Sequence, residues 1–338
     1  MRILFRADGN SQIGLGHIVR SLALAAVVQP VAPCFFAVQS PSEAVRNLLE
    51  QAGAGLIELP ELPWHTEAQH LVSTVLQPTD IVVLDSYHFD FTYQQIIKST
   101  GCRLVCIDDL HAVPFAADLI INHSPGVTAS SYTAQPGTRY CLGPAFSLLR
   151  PAFLQRVHLP APVPVPISDV VLCFGGADPQ QFTTRLLAAL LDMPVIQRVG
   201  VVLGGAFGAE DAFHELLASQ PAGRVEVQRN LPAEALALLL LDYQVVVCPA
   251  STVLIESLVL GRAAITGYYV DNQRHLAEYV HAHHQAFSLG YLTLLHDAEL
   301  PAALARGLRF HETHLRAPYV ANLAHHQLQD EFRRLAAL

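Results

Sequence analysis

RILFRADGNSQIGLGHIVRSLALAAVV (residues 2–28) joins two kinds of sequence through one short turn. RILFRA is a short apolar strand, and HIVRSLALAAVV carries apolar residues at helical spacing. Between them Gly14 and Gly16 stand directly before His17. A strand handed through a glycine-rich turn into a helix opens a β-α-β unit, and the chain repeats that grammar. CFFAV leads into SEAVRNLLEQAG, a helix with a serine near its start and Gly53 just past its end. GLIEL, IVVLDS, RLVCIDD and DLIINH read as further strands, with helical stretches such as FTYQQIIKST between them. Continuous apolar runs of this length suit parallel strands buried on both faces. The alternation implies an α/β fold built on a doubly wound parallel sheet.

The texture changes at RPAFLQRVHLPAPVPVPISD (residues 150–169), which carries five prolines. Proline fixes the backbone and lacks an amide donor, so this stretch reads as a linker. The grammar then resumes with DVVLCFGG, RVGVVLGG, RVEVQRN, QVVVCPA and AAITGYYV, each followed by a helical stretch. The expected organisation is a Rossmann-like domain over residues 1–150, a proline-rich linker over 151–167, and a second Rossmann-like domain over 168–338. AHHQLQDEFRRLAAL is read as a terminal helix of that second domain. Two such halves are expected to hold a ligand in a cleft between them, outside the carboxyl ends of the strands.

Composition narrows the function classes. Of 338 residues, 51% are apolar and 14% charged, ample for a large buried core. The formal net charge is −9 without a dense Lys/Arg run, which argues against an extended nucleic-acid surface. A small anionic ligand needs only backbone amides and one or two cations. The longest apolar stretches are broken by Pro, Gln or Asp and fall short of a membrane span, and MRILF lacks the features of a signal peptide. Six cysteines, mostly within strand-like runs, read as buried reduced thiols, so a cytoplasmic location is expected.

Four turns carry candidate chemistry. In GLGH, the glycines let a ligand approach the main chain, and the helix that follows directs unpaired amides and its positive end toward it. A helix N-terminus disfavours a protonated imidazole, so His17 is a candidate base, with Arg20 one turn further on. The competing reading is a tight turn with a capping histidine. Val19 stands where the third glycine of a dinucleotide fingerprint belongs, which disfavours NAD. In CFGGADP, Gly175 and Gly176 precede Asp178 and Pro179 at a helix start, or serve only as a turn. In CPASTVLIES, Ser251 and Thr252 open a helix, and Glu256 follows one turn later as a ribose ligand or a plain helix residue. YVDNQRH supplies Asn272 and Gln273 at a fourth junction. Asp85 and Tyr87 close the fourth strand, Asp85 as a helix cap or a site group, and Asp108 and Asp109 close the next. The histidines at 281, 283 and 284 lack a matching set of Cys or Asp ligands, and no Asp-x-Asp pair occurs, so no metal or other cofactor is expected.

FRADGNSQIGLGH, LDSYHFD, IDDLHAVPFAADLIIN, LGPAFSLLRPAF, CFGGADP and ASTVLIESLVLG with YVDNQ, in this order, resemble one family. It is the UDP-2,4-diacetamido-2,4,6-trideoxy-β-L-altropyranose hydrolases of pseudaminic acid biosynthesis. The resemblance runs from the first strand to about residue 285, and Ser86, His88 and the HAVPF stretch depart from its pattern. It implies a GT-B architecture and metal-independent attack of water on the anomeric carbon, with inversion and release of UDP. It makes His17 the general base, with Gly14 and Gly16 bringing amides to the substrate. Tyr87 and Arg150 would bind substrate, Glu256 the ribose, Ser251 and Thr252 the diphosphate, and Asn272 the sugar or diphosphate. The alternative is a GT-B glycosyltransferase in which His17 deprotonates an acceptor hydroxyl. A non-catalytic UDP-sugar binder would have no need of a base at that position.

Overall fold

The computed structural model describes residues 1–9, 15–175, 178, 180–205, 207–208, 211–320 and 322–337. The chain divides into two compact units, Met1–Arg150 with Asn322–Leu338, and Pro151–Ala321.

The first unit holds strands β1 (Ile3–Ala7), β2 (Cys34–Gln39), β3 (Gly55–Leu59), β4 (Ile81–Asp85), β5 (Arg103–Ile107), β6 (Leu119–Asn122) and β7 (Arg139–Leu142). Helices α1 (Gly16–Val28), α2 (Glu43–Gln51), α3 (Trp64–Thr74) and α4 (Phe91–Lys98) connect them. The strands run parallel in the order β3-β2-β1-β4-β5-β6-β7. Every residue of β1 is buried, as a central strand covered on both faces requires. Ile3, Phe5 and Ala7 face Leu24 and Val28 of α1, while Leu4 faces Leu71 of α3 and Tyr93 of α4.

The second unit opens with α5 (Pro151–Leu154) and continues β8 (Asp169–Cys173), α6 (Phe182–Leu191), β9 (Arg198–Leu203), α7 (Asp211–Ala218), β10 (Val225–Arg229) and α8 (Ala233–Asp242). It ends β11 (Val245–Pro249), α9 (Thr252–Val259), β12 (Ala263–Tyr268), α10 (Asp271–Ala282), β13 (Phe287–Tyr291) and α11 (Leu300–Thr313). Its parallel order, β10-β9-β8-β11-β12-β13, reproduces the pattern of the first.

Two expectations are corrected. The terminal helix, α12 (His325–Ala337), belongs with the first unit: Leu328, Phe332 and Leu335 join the core around α1. Gln329 donates to the Val27 carbonyl at 2.9 Å, and Arg139 forks onto Glu331 at 2.5 and 2.6 Å. An amphipathic helix advertises a face to bury but not its partner, so sequence alone assigned it to the nearest domain. The proline stretch, expected as a separate linker over 151–167, falls within the second unit and is held to it at several points. Arg156 pairs with Glu234 at 2.8 Å, the His158 amide bonds the Val259 carbonyl at 2.9 Å, and Gln244 donates to the Pro164 carbonyl at 2.8 Å.

Candidate active site

In each sheet the chain starts in the middle, builds one side, then returns to build the other. The first sheet therefore reverses direction between β1 and β4, and the second between β8 and β11. Helices after the two central strands leave on opposite faces there, which opens a crevice at the carboxyl ends. His17 lies in the first turn of α1, just beyond β1, and Asp85 is the last residue of β4. Their meeting is a consequence of strand order.

Asp85 is fully buried and, among the described residues, accepts four hydrogen bonds. Oδ1 receives His17 Nδ1 at 2.7 Å and Arg20 Nη2 at 2.5 Å; Oδ2 receives Arg20 Nε at 3.1 Å and Ser21 Oγ at 3.0 Å. Burial alone would raise its pKa, but the Arg20 guanidinium and the His17 hydrogen bond hold the carboxyl well below the usual range. A carboxylate can only accept, so the proton of the 2.7 Å contact sits on His17 Nδ1. Arg20 Nη2, 3.2 Å from Nδ1, is then a close neighbour and not a donor to it. The Nε2 lone pair is left as the basic position of the ring.

Arg20 is also buried, and its Nη1 donates to Asp109 Oδ2 at 2.9 Å. Burial would lower its pKa, but Asp85 and Asp109 hold the guanidinium well above its ordinary value. The Tyr87 hydroxyl donates to the same Asp109 oxygen at 3.0 Å, and the Tyr87 ring meets the His17 ring edge-on at 4.9 Å. His17, Asp85, Arg20, Asp109 and Tyr87 thus form a closed circuit in which Tyr87 stays half exposed. Arg20, a candidate substrate-binding residue on sequence grounds, is engaged by two carboxylates. Asp85 is no helix cap; Asp90 caps α4, accepting from the Tyr93 amide at 2.8 Å. Sequence reading missed the His17–Asp85 pairing, although a doubly wound order puts the ends of β1 and β4 side by side.

The remaining expected residues separate. Gly14 and Gly176 lie outside the described residues. Gly16 opens α1 without a positive φ, and a Cβ there would meet nothing within 4 Å, so no protein contact requires glycine. Arg150 ends the first unit, half-buried.

In the second unit Gly175, Ser251 and Asn272 follow β8, β11 and β12 at one edge of the sheet. Gly175 has φ +83°, a conformation suited to glycine. Asp178 accepts from the Phe182 and Thr183 amides at 3.0 and 2.7 Å, so a carboxylate already occupies the start of α6. Asp271 stands in the first turn of α10, where Gln273 accepts from the Tyr269 amide at 3.2 Å. Only α9, of these three, begins without an adjacent carboxylate. Ser251 caps it without a side-chain bond to the helix, Thr252 follows, and Glu256 is buried one turn on. A helix start lined by hydroxyls instead of carboxylates is suited to an anion. Among the described residues no group of three or more His, Cys, Asp or Glu could hold a metal ion, and no helix is long and apolar enough to cross a membrane.

No family model matches the chain. It is 23% identical over 285 residues to an uncharacterized protein of Methanocaldococcus jannaschii, covering 81% of this chain but only 57% of that protein. It is 24% identical over 310 residues to the spore coat polysaccharide biosynthesis protein SpsG of Bacillus subtilis, covering 90% and 88%. It is 23% identical over 203 residues to the UDP-2,4-diacetamido-2,4,6-trideoxy-β-L-altropyranose hydrolase of Campylobacter jejuni, covering 58% and 68%. Among solved structures, Anabaena HepE in complex with UDP superposes with a TM-score of 0.64 at 13% identity, covering 100% of both chains. A UDP-glucosyltransferase of Polygonum tinctorium gives 0.65 at 13% identity, covering 100% and 99%. The fold is GT-B, two doubly wound parallel-sheet domains.

Proposed function

We propose that this chain breaks the bond between the anomeric carbon of a sugar and UDP, with His17 as the base that deprotonates the attacking oxygen. The observation that carries the proposal is the 2.7 Å hydrogen bond from His17 Nδ1 to buried Asp85 at the crevice between β1 and β4. Asp85 fixes the ring so that Nε2 can accept a proton. An O–H against Nε2 loses its proton as its oxygen bonds to the anomeric carbon. The C–O bond to the β-phosphate breaks on the opposite face, its electron pair leaves with UDP, and the configuration inverts. Asp85 then stabilises the imidazolium.

In the same proposal the second unit holds the nucleotide. The start of α9, with Ser251 and Thr252, takes the diphosphate; Glu256 takes the ribose; Gly175, Gly176, Asn272 and Gln273 complete the binding edge, with Arg150 and Tyr87 on the sugar. UDP is the nucleotide in complex with HepE, and two of the other proteins compared carry it in their names.

Two oxygens compete as nucleophile. An acceptor hydroxyl is favoured by the glycosyltransferases among the solved structures that share the fold. Water is favoured by the Campylobacter hydrolase and, with it, a 2,4-diacetamido-2,4,6-trideoxy sugar. Incubation with a panel of UDP-sugars, with and without sugar or lipid acceptors, separates them. UDP release that requires an acceptor and yields a new glycoside supports transfer, and release with free reducing sugar supports hydrolysis. Failure to release UDP from every donor, or full turnover in a folded His17→Asn variant, refutes the proposal.

A further inference from the structure

Asp109 makes no hydrogen bond to His17, and the base reading alone does not explain it. Its Oδ2 accepts from Arg20 Nη1 at 2.9 Å and from the Tyr87 hydroxyl at 3.0 Å, while Oδ1 is buried with no partner among the described residues. Arg20 already has Asp85 on two of its nitrogens, and burying a second carboxylate beside the first is unfavourable in itself. The charge count gives a reason for it. Asp85 and Asp109 contribute two negative charges and Arg20 one positive, leaving the cluster one negative. Ser21 and Tyr87 donate hydrogen bonds without changing that count. Asp108 is turned to the Tyr132 hydroxyl and the His111 amide at 3.1 and 3.0 Å. His123, just past β6, is within electrostatic reach of the cluster, but burial and Arg20 push it down to about 4, so it adds no charge at neutral pH.

We infer that Asp109 is a positioning residue that acts on His17 through Arg20, offsetting the guanidinium so that the charge of Asp85 stays available when His17 takes a proton. With Asp109 in place, proton uptake brings the cluster from one negative charge to none. Without it the Arg20–Asp85 pair is already neutral, and the imidazolium forms with no net counter-charge. The inference rests on His17 being the base.

The test is a set of charge-balanced variants read by single-turnover UDP release, with melting curves and UDP calorimetry on each. Asp109→Asn brings the count to zero, and turnover should fall by about 10-fold or more with UDP affinity unchanged. Arg20→Gln combined with Asp109→Asn restores one negative charge and should recover several-fold of that loss. A purely structural role gives the opposite order, with the double variant worse than either single one. Should that pair not fold, Arg20→Met with Asp109→Leu carries the same charge and makes the same comparison. A folded double variant no more active than Asp109→Asn overturns the inference and leaves the base reading intact if His17→Asn is inactive. Wild-type turnover in His17→Asn overturns both.

Discussion

Asp85→Asn is the sharpest perturbation of the site, because the shape is kept and only the acceptor pattern changes. The carboxylate accepts from His17 Nδ1, two Arg20 nitrogens and Ser21 Oγ. An amide offers one acceptor oxygen and places an NH2 where the other oxygen stood. With the NH2 toward His17, Nδ1 must accept, the ring proton moves to Nε2, and the base is lost. With the NH2 toward Ser21, it faces the Arg20 Nε donor 3.1 Å from that oxygen. Either way general-base catalysis suffers, so turnover should fall by about 10²–10⁴-fold with UDP affinity little changed. Breaking a buried ion pair costs about 3–5 kcal/mol, and Arg20 keeps Asp109, so the low end of that range is expected for the first unit. The pH dependence has a definite sign. The folded-state pKa of Asp85 is depressed, so its stabilisation is present above the unfolded carboxylate value, about 4, and is lost as pH falls through the folded value. The stability gap between wild type and Asp85→Asn should therefore shrink in acid. Urea melts across pH and single-turnover UDP release on the same preparations measure both effects. Turnover within about threefold of wild type, or a gap that does not change with pH, would refute the reasoning.

Two further outcomes follow from other buried groups. Asp178→Ala removes the acceptor for the Phe182 and Thr183 amides at a residue whose φ is +43°. The second unit should lose about 1 kcal/mol or somewhat more by urea titration, while UDP affinity holds; a tenfold tighter Kd would put the diphosphate at α6 instead of α9. Beneath β1, Arg6 forks onto Glu67 at 2.6 Å through both Nε and Nη2, with both side chains fully buried and Tyr93 donating to the same carboxylate at 2.7 Å. Arg6→Met alone should destabilise by about 3–5 kcal/mol, and adding Glu67→Leu should recover most of it; additive losses in denaturant titration would show that the pair is not the unit.

How far the sequence could be read depended on whether a feature was local. The strands of both sheets were legible because runs such as IVVLD and VVVCP are apolar on both faces, which only a central parallel strand requires. The partner of α12 was not, since Leu328, Phe332 and Leu335 define a stripe that fits any apolar surface. His17 stood out through its turn, whereas Asp85 looked like any strand-end carboxylate. Nothing within a few residues of either records a contact that spans 68 positions. Strand order supplies what local pattern lacks: once β4 is placed beside β1, only its last side chains can reach the first turn of α1. The partners of Arg20 were hidden for the same reason. One turn from His17 in sequence, it shows no partner there, while the fold brings Asp85 at the end of β4 and Asp109 just past β5 to it.

The division of labour proposed for the two units was written more plainly in the sequence than the dyad was. A diphosphate needs a helix start not already neutralised by a carboxylate. Of the three candidate turns in the second half, GGADP and YVDNQ each bring an aspartate to the helix start, and only PASTV does not. The structure gives those aspartates their places, Asp178 on the α6 amides and Asp271 in the first turn of α10. In the first half the strand ends carry Asp8, Asp85, Asp108 and Asp109, a surplus of negative charge that repels phosphate and favours a positive charge. An anomeric carbon losing its leaving group and an imidazole taking up a proton both gain positive charge. The acidic edge suits the sugar and the base, and the neutral start of α9 suits the nucleotide.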